Sequence, residues 1–149
     1  TLQSGAEEIL FRGWMLSSIA RRSNLAVAVV LSSLVFTLLH FGRHDPWIVA
    51  MNSALFALFA ATLAITTNRI WDVMGWHSGW NWLIAVGFEQ PITGLDTHTP
   101  ALVVALTPRG PAWLTGGAQG PEGSVFCTAF FVSAIVWMVW RHRRRQTRS

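Results

Sequence analysis

Glu7 and Glu8 stand side by side at the head of an apolar segment, residues 6–20, with Arg12 about one helical turn beyond. Each such charge costs roughly 2.5–3.5 kcal/mol at the centre of a bilayer on insertion scales, so a chain that keeps them there shields them from lipid and uses them. Two further apolar segments carry isolated polar groups: His40 in FTLLHFG, and His77 with Asn81 in HSGWN. Carboxylates, imidazoles and amides are the groups that activate water, carry protons and hold an oxyanion. The pattern predicts one buried catalytic constellation assembled from three helices.

Spacing refines this. Glu8 and Arg12 are i,i+4 and share a helix face, so each lowers the cost of burying the other. Glu7 points about 100° away from that pair and is the better candidate for a free, reactive carboxylate. Phe36 with His40, and His77 with Asn81, repeat the i,i+4 spacing. Taken singly, each has a plainer explanation. Glutamates are favoured at any helix N-terminus, a histidine near a helix end can be an interfacial side chain, and an asparagine in an apolar helix can be interhelical glue. Depth argues for convergence. Glu8 and His40 lie about 21 and 25 Å from the turn between the first two segments by helical rise, and His77 and Asn81 lie somewhat deeper from the same face.

Five segments must do the positioning, at about 17–25 residues per span: 6–20, 25–42, 47–67, 70–88 and 124–140. Arg21, Arg22, Ser23 and Asn24 make one polar turn, and Arg43, His44, Asp45 and Pro46 another, with Pro46 suited to the first turn of the next helix. Asn68 and Arg69 separate the third and fourth segments. Residues 89–123 form a long Gly/Pro-rich connection whose apolar run at 101–106 is too short to span. It reads as a re-entrant or interfacial piece, or as packed loop. Residues 141–149 form a basic tail. The expected architecture is all-α, a single membrane-embedded domain over 1–149 and a polytopic transmembrane bundle of about five helices. The chain begins at Thr1, so upstream helices are expected to be missing.

Composition agrees. Of 149 residues 52% are hydrophobic and only 12% charged, with nine Trp and nine Phe, whereas a soluble domain carries about 25% charged residues. The net charge of +4 comes from Arg at segment ends and in RHRRRQTRS, which has no interleaved aromatics. That excludes nucleic acid as a partner and points to an anchor beside anionic lipid. Alternating the segments puts Arg21, Arg22, Arg69 and the tail on the cytoplasmic side, and Arg43 and Arg109 opposite. Glu7 and His40 then lie nearer the non-cytoplasmic face. Cys127, the only cysteine, permits no intrachain disulfide.

Three motifs, Glu7-Glu8-Ile9-Leu10-Phe11-Arg12, Phe36-Thr37-Leu38-Leu39-His40 and His77-Ser78-Gly79-Trp80-Asn81, occur in that order within about residues 5–92. They resemble the signature Glu-Glu-x-x-x-Arg, Phe-x-x-x-His, His-x-x-x-Asn of the CPBP family of intramembrane proteases. That family includes the CAAX prenyl endopeptidases and the bacterial Abi, or bacteriocin-immunity-related, proteins. Residues 116–124 also look like the loop that often precedes the last helix there. As an ordinary flexible turn they assign Glu122 no catalytic role. The resemblance implies an intramembrane endopeptidase in which Glu7 and His40 hold and activate water. His77 and Asn81 would form the oxyanion hole, and Glu8 and Arg12 would fix geometry and balance charge.

Two alternatives accompany this reading. A zinc site could use Glu7, His40 and His77 with water in the open position. The metal-free, glutamate-based mechanism, with no cofactor, is preferred. In the other, the polar cluster only stabilises a non-catalytic membrane protein of bacteriocin-immunity or membrane-protein-assembly type. A transporter is disfavoured, since paired inverted halves and matching broken helices are lacking. The expected partners are membrane lipid and a peptide or protein substrate, prenylated or membrane-embedded. The expected location is the cell membrane, multi-pass, and the absence of Lys beside abundant Arg hints at a bacterial source.

Overall fold

The structure is a computed structural model that describes residues 2–40, 42 and 46–147. The turn expected at Arg43, His44 and Asp45 therefore lies outside the described residues. Five long helices carry the fold, and among the described residues there is no β-strand, only an isolated bridge between Ile92 and Leu95.

Helix α1 covers residues 2–22 without a break: α-helical Leu2–Glu8, π-helical Ile9–Met15, and α-helical Leu16–Arg22. The glutamates therefore do not sit at the N-terminus of a helix beginning near residue 6. They lie more than a turn inside one that is already formed at Leu2, so favourable placement at a helix start does not account for them. The π geometry is seen where the Leu16 N–H reaches back to the Phe11 carbonyl, five residues earlier, a geometry often found at functional sites.

Asn24 caps the next helix, accepting from the Val27 N–H at 2.9 Å. Helix α2 is Leu25–Leu39 and ends at His40, earlier than the expected residue 42. Helix α3, Trp47–Thr67, has its expected bounds. Pro46 sits at its N-cap rather than in its first turn, and Asn68 closes it in the left-handed conformation at φ 54°. Helix α4 covers residues 70–87, α-helical over Ile70–Trp82 and π-helical over Leu83–Gly87. Helix α5 is Val125–Gln146, with Ser124 accepting from the Cys127 N–H as its cap. Residues 141–146, expected as a tail, extend this helix. They stay helical because their charges are placed over rings: Arg141 stands 5.2 Å from the Trp137 ring and Arg144 4.0 Å from the Trp140 ring.

Helix α3 is central. It packs against α2, α4 and α5, while the first half of α1 lies on α4 and its last turns on α2. Ala57, Ala60 and Ala61 let its neighbours approach closely. Phe11, Phe36, Phe56, Phe59 and Phe131 fill the space between helices. Buried charges and exposed large apolar side chains occur in the same helices. Glu8 is 0% and Arg12 5% exposed, whereas Trp14 and Leu38 are each 63% exposed. Helices α3 and α5, of 21 and 22 residues, are the two among the described residues long and apolar enough to cross a membrane, and α2 is a shorter apolar helix.

The run at 101–106 is not helical. It lies along the end of α4, where the N–H groups of Leu102, Val103, Val104 and Leu106 donate to the carbonyls of Val86, Gly87, Gly87 and Phe88. Those carbonyls would otherwise be orphaned at the helix end.

Candidate active site

The buried half of the site is built on Glu8. Its Oε1 accepts from Arg12 Nη1 at 3.0 Å and lies 2.8 Å from His77 Nδ1. Arg12 also donates through Nη2 to the Ala57 carbonyl at 3.2 Å, and its guanidinium stands 4.5 Å from the centre of the Phe36 ring. These contacts replace the water both charges lose on burial. Glu8 Oε2 has no hydrogen-bond partner among the described residues.

Glu7 faces elsewhere, as its spacing predicts. It accepts from Gln3 Nε2 at 2.9 Å, and its Oε2 lies 3.6 Å from His40 Nε2. The ring of His40 is fixed twice. It stacks on Phe36 with centroids 4.0 Å apart, and its Nδ1 lies 2.8 Å from the Phe36 carbonyl. A carbonyl can only accept, so Nδ1 carries a proton, and Nε2 is the nitrogen turned toward Glu7.

His77 and Asn81 lie on the same helix face but are each engaged by α1. Asn81 Nδ2 donates to Ser4 Oγ at 3.0 Å, and His77 Nδ1 is held by Glu8. A carboxylate can only accept, so Nδ1 is again the protonated nitrogen. His77 Nε2 donates only when the ring is an imidazolium. Glu7, His40, His77 and Asn81 all line one cavity of about 670 Å³, with Glu8 and Arg12 behind its wall.

Sequence reasoning missed several neighbours on that wall. Ser4 lies ahead of the segment assigned to the first helix. Asn52, an amide inside an apolar span, was itself a signal. It is buried, donating to the carbonyls of Glu122 at 2.7 Å and Ser124 at 3.0 Å and accepting from Thr128 Oγ1 at 2.6 Å. Residues 116–124 do not form an open, flexible turn. Gly116 and Gly120 have φ of 86° and 75°, and an added Cβ would collide with the Gly120 carbonyl oxygen in one case and that of Pro91 in the other. The segment so fixed brings Glu122 to the cavity.

Among the described residues, no group of three or more His, Cys, Asp or Glu side chains is placed to hold a metal ion. Glu7, His40 and His77, the residues of the zinc alternative, line one cavity without forming such a group.

No curated protein and no solved structure matches the chain. The family described as type II CAAX prenyl endopeptidase Rce1-like matches over residues 1–83, a stretch that holds all three motifs and every residue contacting Glu7 and Glu8. On that match the chain belongs to the Rce1-like type II CAAX prenyl endopeptidases, a membrane-embedded family of CAAX-protease-type peptidases.

Proposed function

We propose that the protein is a multi-pass intramembrane endopeptidase of the cell membrane, with α1 to α5 forming a polytopic bundle and a metal-free site. One observation carries the reading. Four polar side chains from three helices share a cavity wall, and the ion pair that supports them is sealed behind it.

A water between Glu7 and His40 donates one hydrogen to the Glu7 carboxylate and the other to the His40 Nε2 lone pair. With His40 neutral, both atoms accept, and a water seated beside their 3.6 Å gap donates to each. Glu7 removes the first proton as the water oxygen bonds to the peptide carbonyl carbon. The oxyanion is stabilised by the second Nδ2 hydrogen of Asn81 and by His77 Nε2–H, the latter with His77 as an imidazolium whose charge Glu8 offsets. The C–N bond then breaks as Glu7 returns its proton to the departing amine, and the hydroxyl proton left on the new acid passes by way of His40 Nε2 to that amine, leaving a carboxylate and an ammonium. The substrate is a peptide or protein reached from the membrane, prenylated or membrane-embedded.

The test uses the protein in native membranes or proteoliposomes with a fluorogenic peptide library. Cleavage by wild type and its loss in E7Q and H40A, at equal protein level, supports the reading. Undiminished cleavage by E7Q overturns it. A phenotype that survives E7Q points instead to a non-catalytic role.

A further inference from the structure

Glu122 is a second carboxylate on the cavity wall that the mechanism does not use. Its environment differs from those of Glu7 and Glu8. Glu8 has Arg12, and Glu7 has His40. The chain contains no lysine, and among the described residues no Arg or His reaches ion-pair distance of Glu122. Among the described residues its oxygens are held only by neutral donors, Oε1 by Trp80 Nε1 at 2.8 Å and Oε2 by Thr93 Oγ1 at 2.6 Å. Each oxygen keeps acceptor capacity beyond that single bond.

The group is also held rigid. Asn52 grips its backbone carbonyl, and the glycines at 116 and 120 allow a loop too tight for any side chain at those positions. Beside it the wall is aromatic. Trp80 lines the cavity with Phe56 and Phe131, and its ring is backed by Trp76 at 5.1 Å and Phe130 at 5.9 Å. A fixed, uncompensated carboxylate next to aromatic faces in a partly desolvated cavity attracts a cation. The carboxylate supplies charge-assisted acceptors and the rings supply their negative faces. A ligand cation also removes the cost of an unpaired anion.

We infer that Glu122, Trp80 and Thr93 form a subsite for a cationic side chain, so that the preferred substrate carries Arg or Lys close to the scissile bond. The inference rests on the endopeptidase reading only in taking this cavity as the seat of the peptide.

Binding, not turnover, tests it. E7Q protein in nanodiscs is titrated with three matched peptides carrying Arg, citrulline or Glu at one position, followed by tryptophan fluorescence. E7Q removes the other cavity carboxylate, so any remaining charge preference belongs elsewhere on the wall. The Arg peptide is expected to bind about tenfold tighter than the citrulline peptide, with the Glu peptide weakest. Adding E122Q is expected to abolish the Arg preference. Equal binding of Arg and citrulline peptides, or a preference that survives E122Q, overturns the assignment. If the double variant does not accumulate, the order Arg, citrulline, Glu on E7Q alone supports it, and indifference between Arg and Glu overturns it. Wild-type cleavage of the same peptides is scored separately, so an inactive protein that still selects Arg refutes the endopeptidase reading and not the subsite.

Discussion

His40 presents Nε2 to Glu7 Oε2 across 3.6 Å while its Nδ1 is committed to the carbonyl of Phe36. In the proposed mechanism these two groups share the attacking water. The expected consequence is a steep and specific dependence of peptide cleavage on both groups. E7Q and H40A should each lower kcat by about 10²–10⁴-fold with protein levels unchanged. Cleavage rates per mole of protein in proteoliposomes decide this.

Arg12 should behave differently. It does not line the cavity, and its removal strands Glu8, which is fully buried. Breaking such a pair costs about 3–5 kcal/mol. R12A is therefore expected to lose protein from the membrane or to lower the thermal unfolding midpoint sharply. R12K should recover part of the stability but not the fork to Ala57 or the stacking on Phe36. Midpoints of the detergent-solubilised variants provide the check.

Asn52 ties the start of α5 and the segment around Glu122 to α3. N52L keeps the volume apolar but takes the donor from the Glu122 carbonyl, while the Ser124 carbonyl keeps its bond from the Thr128 N–H, at a cost of about 1–3 kcal/mol for a buried group left unpaired. The expected result is a lower midpoint together with faster protease nicking between residues 89 and 124. Unchanged nicking would show that the loop is held by other contacts.

Gly120 tests the same loop from the backbone. A methyl group there meets the Pro91 carbonyl, and φ of 75° is unfavourable for alanine. G120A should loosen the loop as N52L does, whereas G75A, whose added Cβ meets nothing within 4 Å, should be silent. Limited proteolysis of the pair gives a direct comparison.

Metal dependence can be settled independently. Under the metal-free mechanism, prolonged chelation leaves cleavage intact and purified active protein carries less than stoichiometric zinc. Loss of activity on chelation, restored by zinc, would return Glu7, His40 and His77 to the status of ligands.

Much of the candidate site around Glu7 and Glu8 was legible because its contacts are local. Glu8 with Arg12 is a one-turn pair, and the orthogonal direction of Glu7 follows from helical geometry alone. The bounds of α3 were legible because an uncharged, mostly apolar run of 21 residues lies between Pro46 and Asn68. What the sequence hid were bonds between groups far apart in the chain. Asn81 meets Ser4 across 77 residues, and Asn52 meets Glu122 across 70. Nor could spacing reveal that His77 would give a nitrogen to Glu8, since that depends on how α1 and α4 cross. The order in residues 116–124 was hidden too, because glycines that permit flexibility are equally the residues that permit a tight fit.

The π-helical stretch Ile9–Met15 begins at the residue after the two glutamates. Such a stretch houses one residue more than a regular α-helix of the same rise, and each residue turns the helix by about 100°. It therefore acts as an angular spacer that sets the rotational phase of Glu7 and Glu8 relative to the later turns of α1. Excising a single residue there would restore a regular helix and swing the carboxylates a quarter-turn or more. Glu7 would lose its aim at His40 with every side chain of the three motifs still in the chain.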